Sequence, residues 1–122
     1  MDIVLWIVSI LVALVFVAAG VNHATRRDTP RPGMEWMLAV PTPLLTTIGI
    51  LEILGGVGLI LPRITGVAPW LTPLAASCLA VLMILAAVFH LRRRETQNAI
   101  VNGTTAVILI VLTVALVPVV AT

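Results

Sequence analysis

The sequence has little charge, one cysteine and no lysine. Only 10% of its 122 residues are charged, against about 25% in an average soluble domain. Hydrophobic residues make up 61% of the chain, and mean hydropathy is +1.20. That balance excludes a soluble globular domain, a disordered chain and a disulfide scaffold. The lone cysteine, Cys78, excludes an intrachain disulfide and a Cys-x-x-Cys redox pair. What remains is a membrane protein. At about 20 apolar residues per span, this length holds at most four spans.

Four apolar runs occupy about residues 3–21, 43–61, 73–90 and 99–117. The first carries one polar side chain, Ser9, and no charge. A signal peptide is the competing reading. Its positive leading region and short apolar core are missing here, so the run reads as a retained helix. Residues 24–41 form a polar connection, in which Pro30, Pro32 and Gly33 break any helix. Met34, Trp36 and Met37 read as a re-entry at the headgroup level, which suits Trp. Thr42-Pro43 reads as a capped helix start, and Pro62 as the stop of the second run. Pro69 and Pro73 compete as the start of the third. Thr72-Pro73 repeats the second run's opening and is preferred. The remaining connections are short, which sets consecutive helices side by side and antiparallel. The expected fold is therefore all-α: an integral membrane four-helix bundle forming a single transmembrane domain over residues 1–122. A β-barrel would need alternating polarity, and these runs are apolar on all sides.

All seven basic residues are arginines. Arg26, Arg27, Arg31, Arg92, Arg93 and Arg94 lie in the two connections on one side, and Arg63 on the other. Cytoplasmic loops collect such residues. The bias predicts Arg-rich loops in the cytoplasm and both termini outside. Arg92, Arg93 and Arg94 are candidates for contact with anionic lipid or a protein partner. Nucleic-acid binding is not expected, because no soluble basic face exists.

Glu52 is the most informative residue. It falls at the middle of the second run, where a charge costs about 2.5–3.5 kcal/mol on insertion scales. At about 100° per residue, Gly49, Glu52 and Gly56 share one helix face, with Gly55 beside it and Gly58 one turn on. Such glycines let another backbone, a water or a ligand approach. A neutral acid serving as packing glue is one reading of Glu52; ligand binding or proton handling is the other. His90 and His23 end the third and first runs, and Asn22, Thr46, Thr47, Asn98 and Asn102 lie at similar depth. Together they could line a polar vestibule leading to Glu52. Both histidines could equally sit in the headgroup zone. Bis-histidine haem ligation is disfavoured, since neither flank carries a haem pattern. No metal-ligand cluster, catalytic triad or phosphate loop is evident, so an autonomous enzyme is hard to build. Cys78 and Met83 read as core, and Ala76 with Ala80 as a helix-packing pair.

Two stretches carry a resemblance. One is Leu51-Glu-Ile-Leu-Gly-Gly-Val-Gly-Leu-Ile-Leu-Pro62. The other is Leu82-Met-Ile-Leu-Ala-Ala-Val-Phe-His-Leu-Arg-Arg-Arg-Glu95. With the Ala19-Gly20 end of the first run, they resemble the DoxX-like family of small four-span membrane proteins. The matching positions are Glu52, Gly55, Gly56, Gly58 and Pro62, then Ala86, His90 and Arg92. The resemblance implies a four-helix membrane bundle, with a bacterial plasma membrane as its location. It also implies association with membrane redox or detoxification partners, with a quinone as the suspected lipophile. Three functional expectations follow: a membrane subunit of a quinone-linked complex with a lipophile near Glu52, a non-enzymatic anchor or assembly partner, or a small transporter or lipid-binding protein. Membrane lipids, and a protein partner or a second copy of the chain, are the expected companions.

Overall fold

A computed structural model describes residues 3–25, 29 and 32–121. Its elements are four α-helices and one short 3-10 turn, with no strand among the described residues. The helices are α1 (Ile3–Thr25), α2 (Thr42–Thr65), α3 (Leu71–Arg92) and α4 (Thr96–Ala121), and the turn is Glu35–Ala39. All four are long and apolar enough to cross a membrane. The 24 residues of α2 extend about 36 Å at about 1.5 Å each, past a hydrocarbon core of about 30 Å.

Each helix outruns its apolar stretch, and the prolines explain how. Pro62 was expected to stop α2 but sits inside it, with the helix running on to Thr65. A proline removes one N–H and crowds the carbonyl four residues back. Within the final turn that loss is tolerated, and Thr65 Oγ1 donates to the Leu61 carbonyl at 2.9 Å. The stop comes at Gly66, whose φ of 72° is left-handed, a conformation glycine adopts without penalty. Pro118 likewise lies inside α4. At the start of α2, Thr42 is already helical and makes no side-chain cap. The Pro41 carbonyl instead accepts the Leu45 N–H at 3.0 Å. Helix α3 opens at Leu71, between the two expected prolines.

Packing is closest between α1 and α2 and between α3 and α4, looser between α2 and α3, and slight between α1 and α4. The first seam is a backbone contact. A Cβ on Gly20 would collide with the Gly49 carbonyl, and one on Gly49 would lie 2.6 Å from the Gly20 carbonyl oxygen. A Cβ on Gly56 would lie 2.9 Å from the Ala13 carbonyl oxygen. Gly55 and Gly58 face the other way and make room for Leu79 and Ala75 of α3. So the glycines of α2 serve two seams, and only Gly49 and Gly56 share Glu52's face.

Phe16, Leu59, Leu79, Met83, Leu109 and Leu116 are among the side chains that fill the core. Outside, Leu14, Leu54, Leu85 and Val114 are more than half exposed. That surface suits lipid rather than water. Cys78, expected in the core, is exposed. It lines an apolar groove of about 520 Å³ between α2 and α3.

Candidate functional site

The last turn of α1 and the middle of α2 meet where Gly20 and Gly49 touch. His23 and Glu52 each lie one helical turn from that contact, on opposite sides of it, and their side chains lean back toward it and meet. His23 Nδ1 lies 2.5 Å from Glu52 Oε1, and the two residues are 8% and 2% exposed. A lone charge here would be costly; a paired one is compensated. A protonated acid beside a neutral imidazole, or a carboxylate beside an imidazolium, makes the pair net neutral. Either way a proton sits between two titratable groups inside the bundle.

The 3-10 turn closes over this pair. Gly33, at φ 84°, turns the chain, and its N–H donates to Glu35 Oε1 at 3.3 Å. The turn then sets Trp36 edge-on to His23, with centroids 5.3 Å apart. The same indole stands edge-on to His90 at 5.1 Å. Trp36 is thus held between two imidazoles. Met37, from the same turn, is buried. Asn22 Nδ2 points at the sulfurs of Met34 and Met37, at 3.5 and 4.0 Å. Asn22 Oδ1 is buried and has no hydrogen-bond partner among the described residues.

His90 does not reach Glu52. Its Nδ1 lies 2.9 Å from Glu95 Oε1, which also accepts from Arg93 Nε at 3.1 Å. The backbone explains this pairing. Arg94 is left-handed at φ 60°. Glu95 N–H then donates to the His90 carbonyl at 2.8 Å, and Arg94 N–H to the Leu91 carbonyl at 3.1 Å. That is the two-bond helix ending usually built on glycine. It folds Glu95 back over His90, whose bond, with Arg93 adding, holds the Glu95 carboxyl below the usual carboxylate range.

The sequence candidates therefore separate. His23 and Glu52 come together across the seam that Gly49 and Gly56 help form, while Asn22, next to His23, faces Met34 and Met37. His90 belongs to a second pair on the far side of Trp36. Asn98 and Asn102, on α4, are half-buried and take no part in these hydrogen bonds among the described residues. Thr47 bonds its own helix at the Pro43 carbonyl, 2.8 Å away. Arg93 reaches Glu95 and lies over the Phe89 ring at 5.6 Å, while Arg92 and Arg94 are exposed. Arg26, Arg27 and Arg31 lie outside the described residues. Sequence reasoning gave Trp36, Met34 and Met37 only an interfacial role and gave Glu95 none. The Met-x-Trp-Met spacing after a glycine was the available signal for the first three. A polar pocket of about 530 Å³, lined by Pro32, Gly33, Met34 and Glu95 to Asn98, opens beside this group. No group of three or more metal-ligating His, Cys, Asp or Glu side chains occurs among the described residues.

Neither a curated protein nor a solved structure matches the chain. The model of the DoxX-like family does match it, over residues 7–116, nearly the whole chain. With four helices long and apolar enough to span a membrane, the chain belongs to the DoxX-like family of membrane proteins.

Proposed function

We propose that the chain is the membrane subunit of a quinone-linked redox or detoxification complex, and that Asn22, His23 and Glu52 hold the head group of its lipophile. The observation that carries this reading is the buried His23–Glu52 pair. It is a proton-holding couple inside an apolar bundle, with an unpartnered amide oxygen on the neighbouring residue. An orphaned buried acceptor costs free energy unless something completes it. A quinone, when bound, supplies a two-electron, two-proton carrier. The protein's own part is simpler. His23 and Glu52 hold and pass a proton between Nδ1 and Oε1, Asn22 orients the head group, and Trp36 keeps bulk water from the pair.

The bundle is read as antiparallel and up-and-down, with both termini outside and the Arg-rich loops in the cytoplasm of a bacterial cell. Contacts along the first seam support this. Trp6 meets Arg63, with the guanidinium 4.4 Å from the ring centroid, Ala13 meets Gly56, and Gly20 meets Gly49. As the α1 number rises, the α2 number falls. Six of the seven arginines then share one side, as the positive-inside tendency asks.

Mass spectrometry of what co-purifies in mild detergent tests the proposal. Wild type should retain a lipophile that Glu52→Leu loses while still folding and inserting. Equal retention by the variant would sink the site. A constant protein companion in both samples, with no small molecule, would make the chain an anchor. Uptake into liposomes by the protein alone would make it a transporter.

A further inference from the structure

The geometry points to a preference built into this site: it takes the reduced, hydroxyl-bearing form of its ligand over the oxidised, carbonyl-bearing form. Asn22 Oδ1 reads the hydroxyl, and the sulfurs of Met34 and Met37 fix which end of the amide does the reading. The inference rests on the head-group site proposed above.

A carboxamide has a donor end and an acceptor end, and both ends have similar shape. Its neighbours decide which way it faces. Here the neighbours are two thioethers, which accept hydrogen bonds and cannot donate them. Nδ2 lies 3.5 Å from Met34 Sδ and 4.0 Å from Met37 Sδ. Turning the amide over would set the carbonyl oxygen against two sulfur lone-pair regions and orphan the NH2 group. The sulfurs therefore hold the oxygen toward the other side. There it is buried with no partner among the described residues.

A buried orphan acceptor accepts a donor and repels another acceptor. A hydroquinone hydroxyl is a donor, and a quinone carbonyl is an acceptor. Sites built to bond a hydroxyl discriminate strongly against analogues that lack it, because the site's own polar group is left unpaired. Access is consistent with this assignment. Met34 touches Asn22 and also lines the polar pocket, so the sulfur that orients the amide borders an opening.

Anaerobic equilibrium binding tests the inference, with the protein in nanodiscs of synthetic phosphatidylcholine. The probes are a decyl benzoquinone, its hydroquinone and the O-methylated hydroquinone. Wild type should bind the hydroquinone roughly tenfold or more tighter than the other two. Asn22→Leu should erase that difference. Met34→Leu combined with Met37→Leu conserves volume, so the fold should persist. It releases the amide to turn, and quinone binding should rise toward that of the hydroquinone. Equal binding of the two redox forms by wild type would overturn the inference, as would a full preference surviving in the double methionine variant. If both forms bind wild type equally and Glu52→Leu loses both, the head-group site stands and this preference fails. If no probe binds wild type, both readings fall.

Discussion

Two imidazole–carboxylate pairs flank the same indole, and they arise in opposite ways. His90 and Glu95 are five residues apart, joined by one helix ending. His23 and Glu52 are 29 apart and meet only because two helices touch through glycine. The first pair is local and half open; the second is non-local and closed. One chemical motif thus does two jobs. His90–Glu95 ties down a turn and one face of Trp36, whereas His23–Glu52 places a proton-holding group inside the bundle. Burial is what separates them. In the open pair solvent shares the work of stabilising charge, so the pairing is worth little. In the closed pair each partner needs the other.

The hardest way to break the comparison is to part the helices. Gly49→Val adds three carbons where even a Cβ would lie 2.6 Å from the Gly20 carbonyl oxygen. The expected loss is at least about 1–3 kcal/mol, the usual cost of overpacking. The closed pair should come apart while the local pair survives. Thermal unfolding in detergent reads the loss. Cysteine trapping with a short bis-maleimide between Trp6→Cys and Arg63→Cys, which face each other on α1 and α2, reads the seam in a Cys78→Ala background. Normal trapping in the presence of a stability loss would place the damage elsewhere.

A milder perturbation is acid. Glu95's carboxyl is held below the ordinary carboxylate range, first by its bond to His90. A depressed folded value means the pairing's contribution is complete above the ordinary range. It is lost as pH falls through the folded value. With Trp6→Phe and Trp70→Phe, Trp36 becomes the sole indole, and its emission should change as Glu95 takes up a proton. Glu95→Gln should remove that acid step. A step that persists in this variant would sink its assignment to Glu95.

The smallest change concerns sidedness alone. Arg93→Cys, again with Cys78→Ala, should leave stability within about 0.5 kcal/mol, as exposed substitutions generally do. A membrane-impermeant maleimide should label it only from the cytoplasmic face. Labelling from outside would invert the proposed orientation and put both pairs on the other side of the membrane.

Much of the architecture was legible because bilayers impose it. Four apolar runs of the right length have few alternatives to four helices. Glu52 was legible for the same reason: a carboxyl amid such a run is expensive and so conspicuous. Its partner was not. His23 and His90 both end apolar runs, and nothing local separates them. The choice depends on the seam at Gly20 and Gly49, a contact between distant residues. Glu95 was missed because its approach to His90 needs a left-handed arginine at 94, where sequence rules look for glycine. Pro62 was misplaced as a stop because a proline in a last turn costs only one bond, and the helix absorbed it.

By itself, then, the sequence determined the number of helices, their apolar exterior and the presence of one buried acid. Each follows from composition and local spacing against a fixed solvent. The tertiary structure alone decided which histidine meets that acid, that Trp36 stands between the two imidazoles, and which way Asn22 faces. Those depend on close approach across helices and a re-entrant turn, where a few tenths of an ångström at a glycine decide whether two side chains touch.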